Sequence, residues 1–239
     1  MSIHDGHRER MKERLLRSGL DSMNEHEILE ILLFYCIPRC DTNEHAHRLI
    51  NKFGSLLNVL NAPASELEKV AGIGHNSAVY LSMLGELHRC LMITKAKQLK
   101  SLKTSEEYGE YLQNYFVGLP IEAVYLLCLD ARGTILACEK ISEGDSNSTN
   151  VSFRKIAEIS FATKAASVVL AHNHPRGFCA PSPQDEELTM EIALGLAGLD
   201  ILLADHIIVS DDSYMSLAKT GIYRVSEIVN NYFRQAHHE

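Results

Sequence analysis

No apolar run in the 239-residue chain reaches the roughly 18 residues that a membrane-spanning helix requires, so no membrane partner is expected. The first residues, among them His4, Asp5, His7, Arg8 and Glu9, lack the apolar core of a secretory signal. None of the six cysteines, at 36, 40, 90, 128, 138 and 179, sits in a Cys-x-x-Cys pair. That removes the Pro-Cys-x-x-Cys ligands of the zinc nucleobase deaminases, and their reaction with them. Several of these thiols lie in apolar runs, where a reduced cysteine packs as a small hydrophobe; a reducing, cytoplasmic location is the expectation. Internal repeats and low-complexity tracts are also missing. Finally, the second part of the chain has no excess of cations. Residues 1–100 carry 13 Lys+Arg against 12 Asp+Glu, whereas residues 101–239 carry 10 against 19. Phosphate backbones need clustered cations, so any nucleic-acid contact is expected in the first hundred residues.

What is present is an ordinary globular balance, 46% hydrophobic and 23% charged, with length enough for two modest domains. The first hundred residues read as helices. Arg8 to Ser18 is a charged helical stretch, and Asp21 to Tyr35 carries Ile28, Leu29, Ile31, Leu32 and Leu33 as an apolar stripe. Pro38 closes that element, and Thr42 or Asn43 can cap the next, which runs to Phe53-Gly54. Two short helices then flank Asn61-Ala62-Pro63. After them Leu67 to Ala78 places Gly72 and Gly74 on either side of Ile73. This resembles the helix-hairpin-helix motif, whose tight turn bares backbone N–H groups at a helix start, a ready phosphate site. Gly72, Ile73 and Gly74 are therefore candidate contacts to a DNA backbone. The copy has His75 and Asn76 rather than a cation after the turn, and a purely structural hairpin is the equal alternative. A helix from Asn76 to Ile93 leads into Lys95, Lys97, Lys100 and Lys103. Residues 1–98 are thus assigned to a helical domain, 99–103 to a solvated linker and 104–239 to a second domain.

The second domain mixes helices and strands. A helix over 105–116 precedes strands over 123–129 and 134–142, joined at the turn sequence Asp130-Ala131-Arg132-Gly133. A helix over 152–166, a strand from 168, a helix over 183–199 and strands over 201–210 and 214–217 complete an α/β pattern. The expected architecture is a mixed β-sheet covered by helices. Its most informative stretch is Val168-Val169-Leu170-Ala171-His172-Asn173-His174-Pro175, followed by Ser182-Pro183-Gln184-Asp185. The two-residue period of a strand sets both imidazoles on one side. The loop between returns a carboxylate towards them, and two imidazoles, one carboxylate and a water make an open tetrahedral zinc site. Taken singly, each half has a plainer account. A lone His-x-His is a polar strand end, and Ser182 with Pro183 and Asp185 is an ordinary helix start.

Together the two halves read His-x-His-x(7)-Ser-x-x-Asp, a specific spacing, and it resembles the signature of the JAMM (MPN+) metalloprotease domain. Ala171-His172-Asn173-His174-Pro175 and the later Asp205-His206-Ile207-Ile208-Val209 are similar to the RadC family within it. That family pairs an N-terminal helix-hairpin-helix region with a JAMM domain, so the likeness covers essentially the whole chain and implies a three-layer αβα second domain. It implies one Zn2+ per chain on His172, His174 and Asp185, and Ser182 as hydrogen-bond donor to a developing oxyanion. It also implies a hydrolase of peptide or isopeptide bonds in a protein or peptide substrate, acting through a zinc-bound water. A further upstream carboxylate must take the proton of that water. Glu122, just before the apolar run from Ala123, is the choice over Glu139 and Glu143. Where the family continues Ser-Gly-Asp-Pro-Thr, this chain has Arg176-Gly177-Phe178-Cys179-Ala180, which changes the mouth of the site and with it substrate choice. Asp205 and His206 are either groups that orient a ligand or a pair satisfied within a strand. The alternative function is a DNA-binding accessory protein of repair or recombination whose metal domain is regulatory or structural.

Overall fold

The computed structural model describes residues 3–38, 40–144, 151–175, 177–210 and 213–221, with side chains from residue 6 onward. The end of the second domain beyond 221 and Arg176 of the altered loop lie outside the described residues. The chain forms two compact units, Met1–Cys90 and Leu91–Glu239. Among the described residues no helix is long and apolar enough to cross a membrane.

The first unit holds α1 (Ile3–Ser18), a 3-10 turn over Leu20–Ser22, α2 (Glu25–Phe34), α3 (Asn43–Phe53), α4 (Leu56–Leu60), α5 (Ala64–Leu67) and most of α6 (His75–Ala96). The stretch over 21–35 is not one helix. Asn24 interrupts it with a capping box, its N–H donating to Glu27 Oε2 at 2.8 Å, because Asn at a helix start satisfies donors that the interior cannot. Leu29, Leu33, Leu49, Val59, Leu67 and Leu81 are fully buried in the core of this unit, and Ile73 of the glycine turn joins them. Gly72 has φ +90°, and a Cβ there would sit 2.0 Å from Nε2 of His45. Only glycine fits.

The second unit begins with the end of α6 and continues through α7 (Ser105–Phe116), β1 (Glu122–Leu129), β2 (Ile135–Gly144), α8 (Phe153–Thr163), β3 (Ser167–Asn173), α9 (Pro183–Ala197), β4 (Leu202–Val209), β5 (Tyr214–Ser216) and α10 (Leu217–Thr220). The strand order is β2-β1-β3-β4-β5. Only β3 and β4 run parallel, with α9 as their crossover; the other neighbours are antiparallel. Period-two alternation divides the sheet between two cores. Val124, Leu126, Cys128, Val168 and Leu170 face α8 and α9. Tyr125, Leu127, Leu129, Val169 and Ala171 face Tyr111, Leu112 and Tyr115 of α7. The expected three-layer αβα arrangement is the observed one.

The β1–β2 turn follows the sequence expectation. Asp130 Oδ1 accepts the N–H groups of Arg132 and Thr134, both at 2.8 Å, and Gly133 takes φ +80°. Residues 99–103, expected as a solvated linker, are largely exposed but have a backbone tied to the hairpin. Leu102 N–H donates to the Gly133 carbonyl at 2.8 Å and Ile135 N–H to that of Lys100 at 2.9 Å, while the Leu102 side chain is buried in the α7-side core. Lysine side chains reaching solvent hid a backbone paired to the hairpin. The compact units divide instead at Cys90/Leu91, inside α6.

Candidate metal centre

Strand alternation places His172 on the α8/α9 face of β3, in series with Val168 and Leu170, and turns Asn173 to the α7 face. His174 lies one residue past the strand and is kept in line by donating its N–H to the Val209 carbonyl of β4 at 2.8 Å. Because β1 runs antiparallel to β3, with Val124 opposite His172, Glu122 starts β1 where β3 ends. The third approach comes from α9. Ser182 is its cap, Pro183 its first residue, and Asp185 is the third helical residue, where a carboxylate closes a capping box. Ser182 Oγ accepts from Asp185 N–H at 3.2 Å, and Asp185 Oδ2 accepts from Ser182 N–H at 2.8 Å and Ser182 Oγ at 2.6 Å. The plain capping account of Ser182 and Asp185 is therefore correct, and it also aims the carboxylate.

The three side chains converge. His172 Nε2 and His174 Nε2 are 2.9 Å apart; Asp185 Oδ1 lies 3.2 Å from the former and Oδ2 3.6 Å from the latter. Two imidazole lone pairs that close repel unless a cation, proton or metal, lies between them. The carboxylate supplies the matching negative charge. The Asp185 carboxylate beside it pushes the His174 imidazole pKa up, helped by the Phe178 carbonyl and by the charge of Glu122. Burial alone would raise the Asp185 pKa; the neighbouring His172 and His174 imidazoles outweigh it, and with the Ser182 hydroxyl they hold the carboxyl far below the usual range. His174 Nδ1 meets the Phe178 carbonyl at 2.9 Å, a contact that needs the proton on Nδ1 and leaves the Nε2 lone pair for the centre. Two nitrogens, one carboxylate oxygen and an open side fit zinc in a three-ligand site.

The centre opens into a cleft of about 740 Å³ whose wall includes Glu122, Val124, Leu170, Leu188 and Phe178. Glu122 is half-buried at its start of β1. The rival Glu139 and Glu143 are exposed on the edge strand β2, outside the cleft, with Glu143 paired to Lys140. Of the altered loop, Phe178 stands 91% exposed at the cleft mouth, and Cys179 Sγ is 3.3 Å from Ser213 Oγ. In the first unit Ile73 is core, while nothing lies within 4 Å of a Cβ built on Gly74. Glu68 pairs with His75 at 2.6 Å where α6 begins.

Two residues gain parts that composition and spacing did not reveal. Asn173, the middle of the His-x-His, accepts from Ala123 N–H at 2.8 Å and donates to the Ile121 carbonyl at 3.1 Å. Its amide brackets Glu122 and extends the ladder past the last strand pair. Asp205 and His206 part company, as neighbours on a strand must. Asp205, fully buried on the α7 face, accepts from Ser105 Oγ, Ser216 Oγ, His206 N–H and Ala218 N–H at 2.6, 2.7, 2.7 and 3.1 Å. His206 faces the opposite way, with Nε2 2.8 Å from His172 Nδ1, and burial pushes its pKa well down.

With imidazoles and carboxylate meeting on a sheet packed between helices, residues 102–222 match the RadC-like JAB domain, which gives the class of the second unit. Residues 5–79 match the UPF0758 N-terminal region. A UPF0758 protein of Fusobacterium nucleatum is 39% identical over 226 residues, 92% of this chain and 97% of its own length. Another, from Ectopseudomonas mendocina, is 32% identical over 222 residues, 92% and 99% of the two chains. A third, from Paraburkholderia phytofirmans, is 32% identical over 210 residues, 88% and 81%. The chain belongs to the RadC (UPF0758) family.

Proposed function

We propose that this protein is a zinc-dependent hydrolase of peptide or isopeptide bonds. The observation that carries the reading is the convergence of His172, His174 and Asp185 at the floor of a cleft that Glu122 also lines. His172, His174 and Asp185 would hold the ion. When bound there, zinc supplies Lewis acidity, polarising a scissile carbonyl and making a water acidic near neutral pH. Glu122 takes a proton from the attacking water and delivers it to the departing amine, so that water and amide become acid and amine. The Ser182 hydroxyl donates its one proton to Asp185; once the charge of that carboxylate is shared with a cation, the hydroxyl is free to donate to the substrate oxygen.

Metal analysis and a peptide-library cleavage screen test this. Asp185→Ala is expected to lose stoichiometric zinc, and Glu122→Gln to keep zinc while cleavage falls by roughly 10²–10⁴-fold. Full zinc in Asp185→Ala would end the reading. A cytoplasmic location is part of the same proposal, in keeping with a Cys128 thiol packed as a small hydrophobe in the sheet core.

A second reading assigns the Gly72-Ile73-Gly74 turn a contact with DNA phosphates. The open space at Gly74 favours it, and the Glu68 carboxylate beside the start of α6 opposes it. Anisotropy with labelled duplex DNA at low salt decides: salt-sensitive binding weakened by Gly74→Val supports the contact, and no binding removes it.

A further inference from the structure

His206 is wholly buried in a strand that no part of the proposed chemistry calls on, yet its two ring nitrogens both have partners. On one side Nε2 lies 2.8 Å from His172 Nδ1. On the other, Nδ1 lies 2.6 Å from Thr189 Oγ1, and that hydroxyl is 2.5 Å from the main-chain carbonyl of Asp185. A carbonyl can only accept, so the single Thr189 proton points at Asp185. Thr189 Oγ1 must then accept from His206, which puts the His206 proton on Nδ1 and leaves Nε2 as an acceptor. The proton between the two rings therefore belongs to His172 Nδ1, and in the neutral ring that leaves the lone pair of His172 on Nε2, facing His174 and Asp185.

We propose that His206, backed by Thr189, is a positioning residue that fixes the tautomer and ring orientation of His172 and prepares it as a metal ligand. The proposal rests on the zinc reading for its purpose, though not for its geometry. The bonds form a chain across three elements, from His172 on β3 through His206 on β4 to Thr189 and the Asp185 carbonyl on α9. Every donor in it has one direction, set from the far end by a backbone carbonyl that cannot change roles. Two proposed ligands on different elements are thereby tied through a buried path rather than through the cleft. Outer partners of this kind hold ligand rings at the angle a small ion requires. His174 uses a loop carbonyl for the same purpose. The His172 arrangement is the stiffer, because Thr189 and His206 are both almost wholly buried, at 1% and 0% exposure.

The test begins on the metal-free full-length protein, with histidine side chains labelled with nitrogen-15. Expected is a scalar coupling across the hydrogen bond between His172 Nδ1 and His206 Nε2, the proton showing its one-bond coupling to His172. A proton resident on His206 Nε2, or no coupling, overturns the proposal. Zinc affinity is then measured by chelator competition. His206→Leu is expected to weaken it roughly 10–100-fold, whereas His206→Gln, which can still accept from His172 and donate to Thr189, recovers most of the loss. Thr189→Val serves if His206→Leu does not fold, and is expected to weaken zinc in the same direction. Unchanged zinc affinity in a folded His206→Leu or Thr189→Val also overturns it. Wild-type protein that binds no zinc would sink the hydrolase reading alone, since the proton between the rings still decides this one.

Discussion

Asn173 shows how much one amide can settle. It holds the main chain on both sides of Glu122, accepting from residue 123 and donating to residue 121, and it sits between the two imidazoles of the proposed centre. Replacing it with Leu keeps all three proposed metal ligands in the sequence. The expected outcome is zinc content near wild type with cleavage reduced by up to about 100-fold, the scale of a displacement of roughly 1 Å at a reacting group. Zinc analysis beside a rate assay separates the two effects. Thiols give a second check at this scale. Burial holds the Cys138 thiol up to about 12 and raises that of Cys128 as well, whereas Cys40 and Cys90 are exposed. Since the thiolate is the nucleophile, mild alkylation at pH 8 is expected to modify the exposed Cys40 and to spare Cys128 and Cys138 until the protein unfolds. Mass spectrometry of the alkylated peptides reads it.

Among the elements, α9 does the most, since its first turn is both a capping box and the mount of Asp185. Ser182→Ala removes the cap and the donor to Asp185 together. A loss of about 1 kcal/mol in denaturant unfolding of the metal-free protein is expected, with weaker zinc binding alongside. This helix start was legible in the sequence because capping is local chemistry: Ser182, Pro183 and Asp185 lie within four consecutive positions. The strands were legible too, since β1 and β3 are nearly continuous apolar runs bounded by turn residues. Long-range pairings leave no such trace. That His206 meets His172 depends on the parallel β3–β4 register, which sets Leu170 opposite His206, and nothing in either segment alone states it. The bracket of Asn173 around Glu122 likewise needs β1 and β3 side by side.

At the scale of the whole molecule, two compact units share one chain. Gly72→Ala forces a side chain into a left-handed conformation and onto the His45 ring. The first unit is expected to lose about 1–3 kcal/mol, with zinc content of the second unchanged. Hydrogen exchange resolved by unit distinguishes this from a global effect. Gly74 has no such neighbour, so it is the position at which a DNA contact can be probed without disturbing the fold.

The backbone laced between Lys100, Leu102 and the Gly133 turn bears on how the molecule can be cut. A fragment starting at residue 104 would look complete by composition, yet it would leave the Gly133 carbonyl and the Ile135 N–H without their partners and remove Leu102 from the α7-side core. Dissection at residue 91 keeps that seam closed. The shorter piece is expected to precipitate or melt early, and the longer one to stay folded, which places the working edge of the second unit inside a helix rather than in its lysine-rich tail.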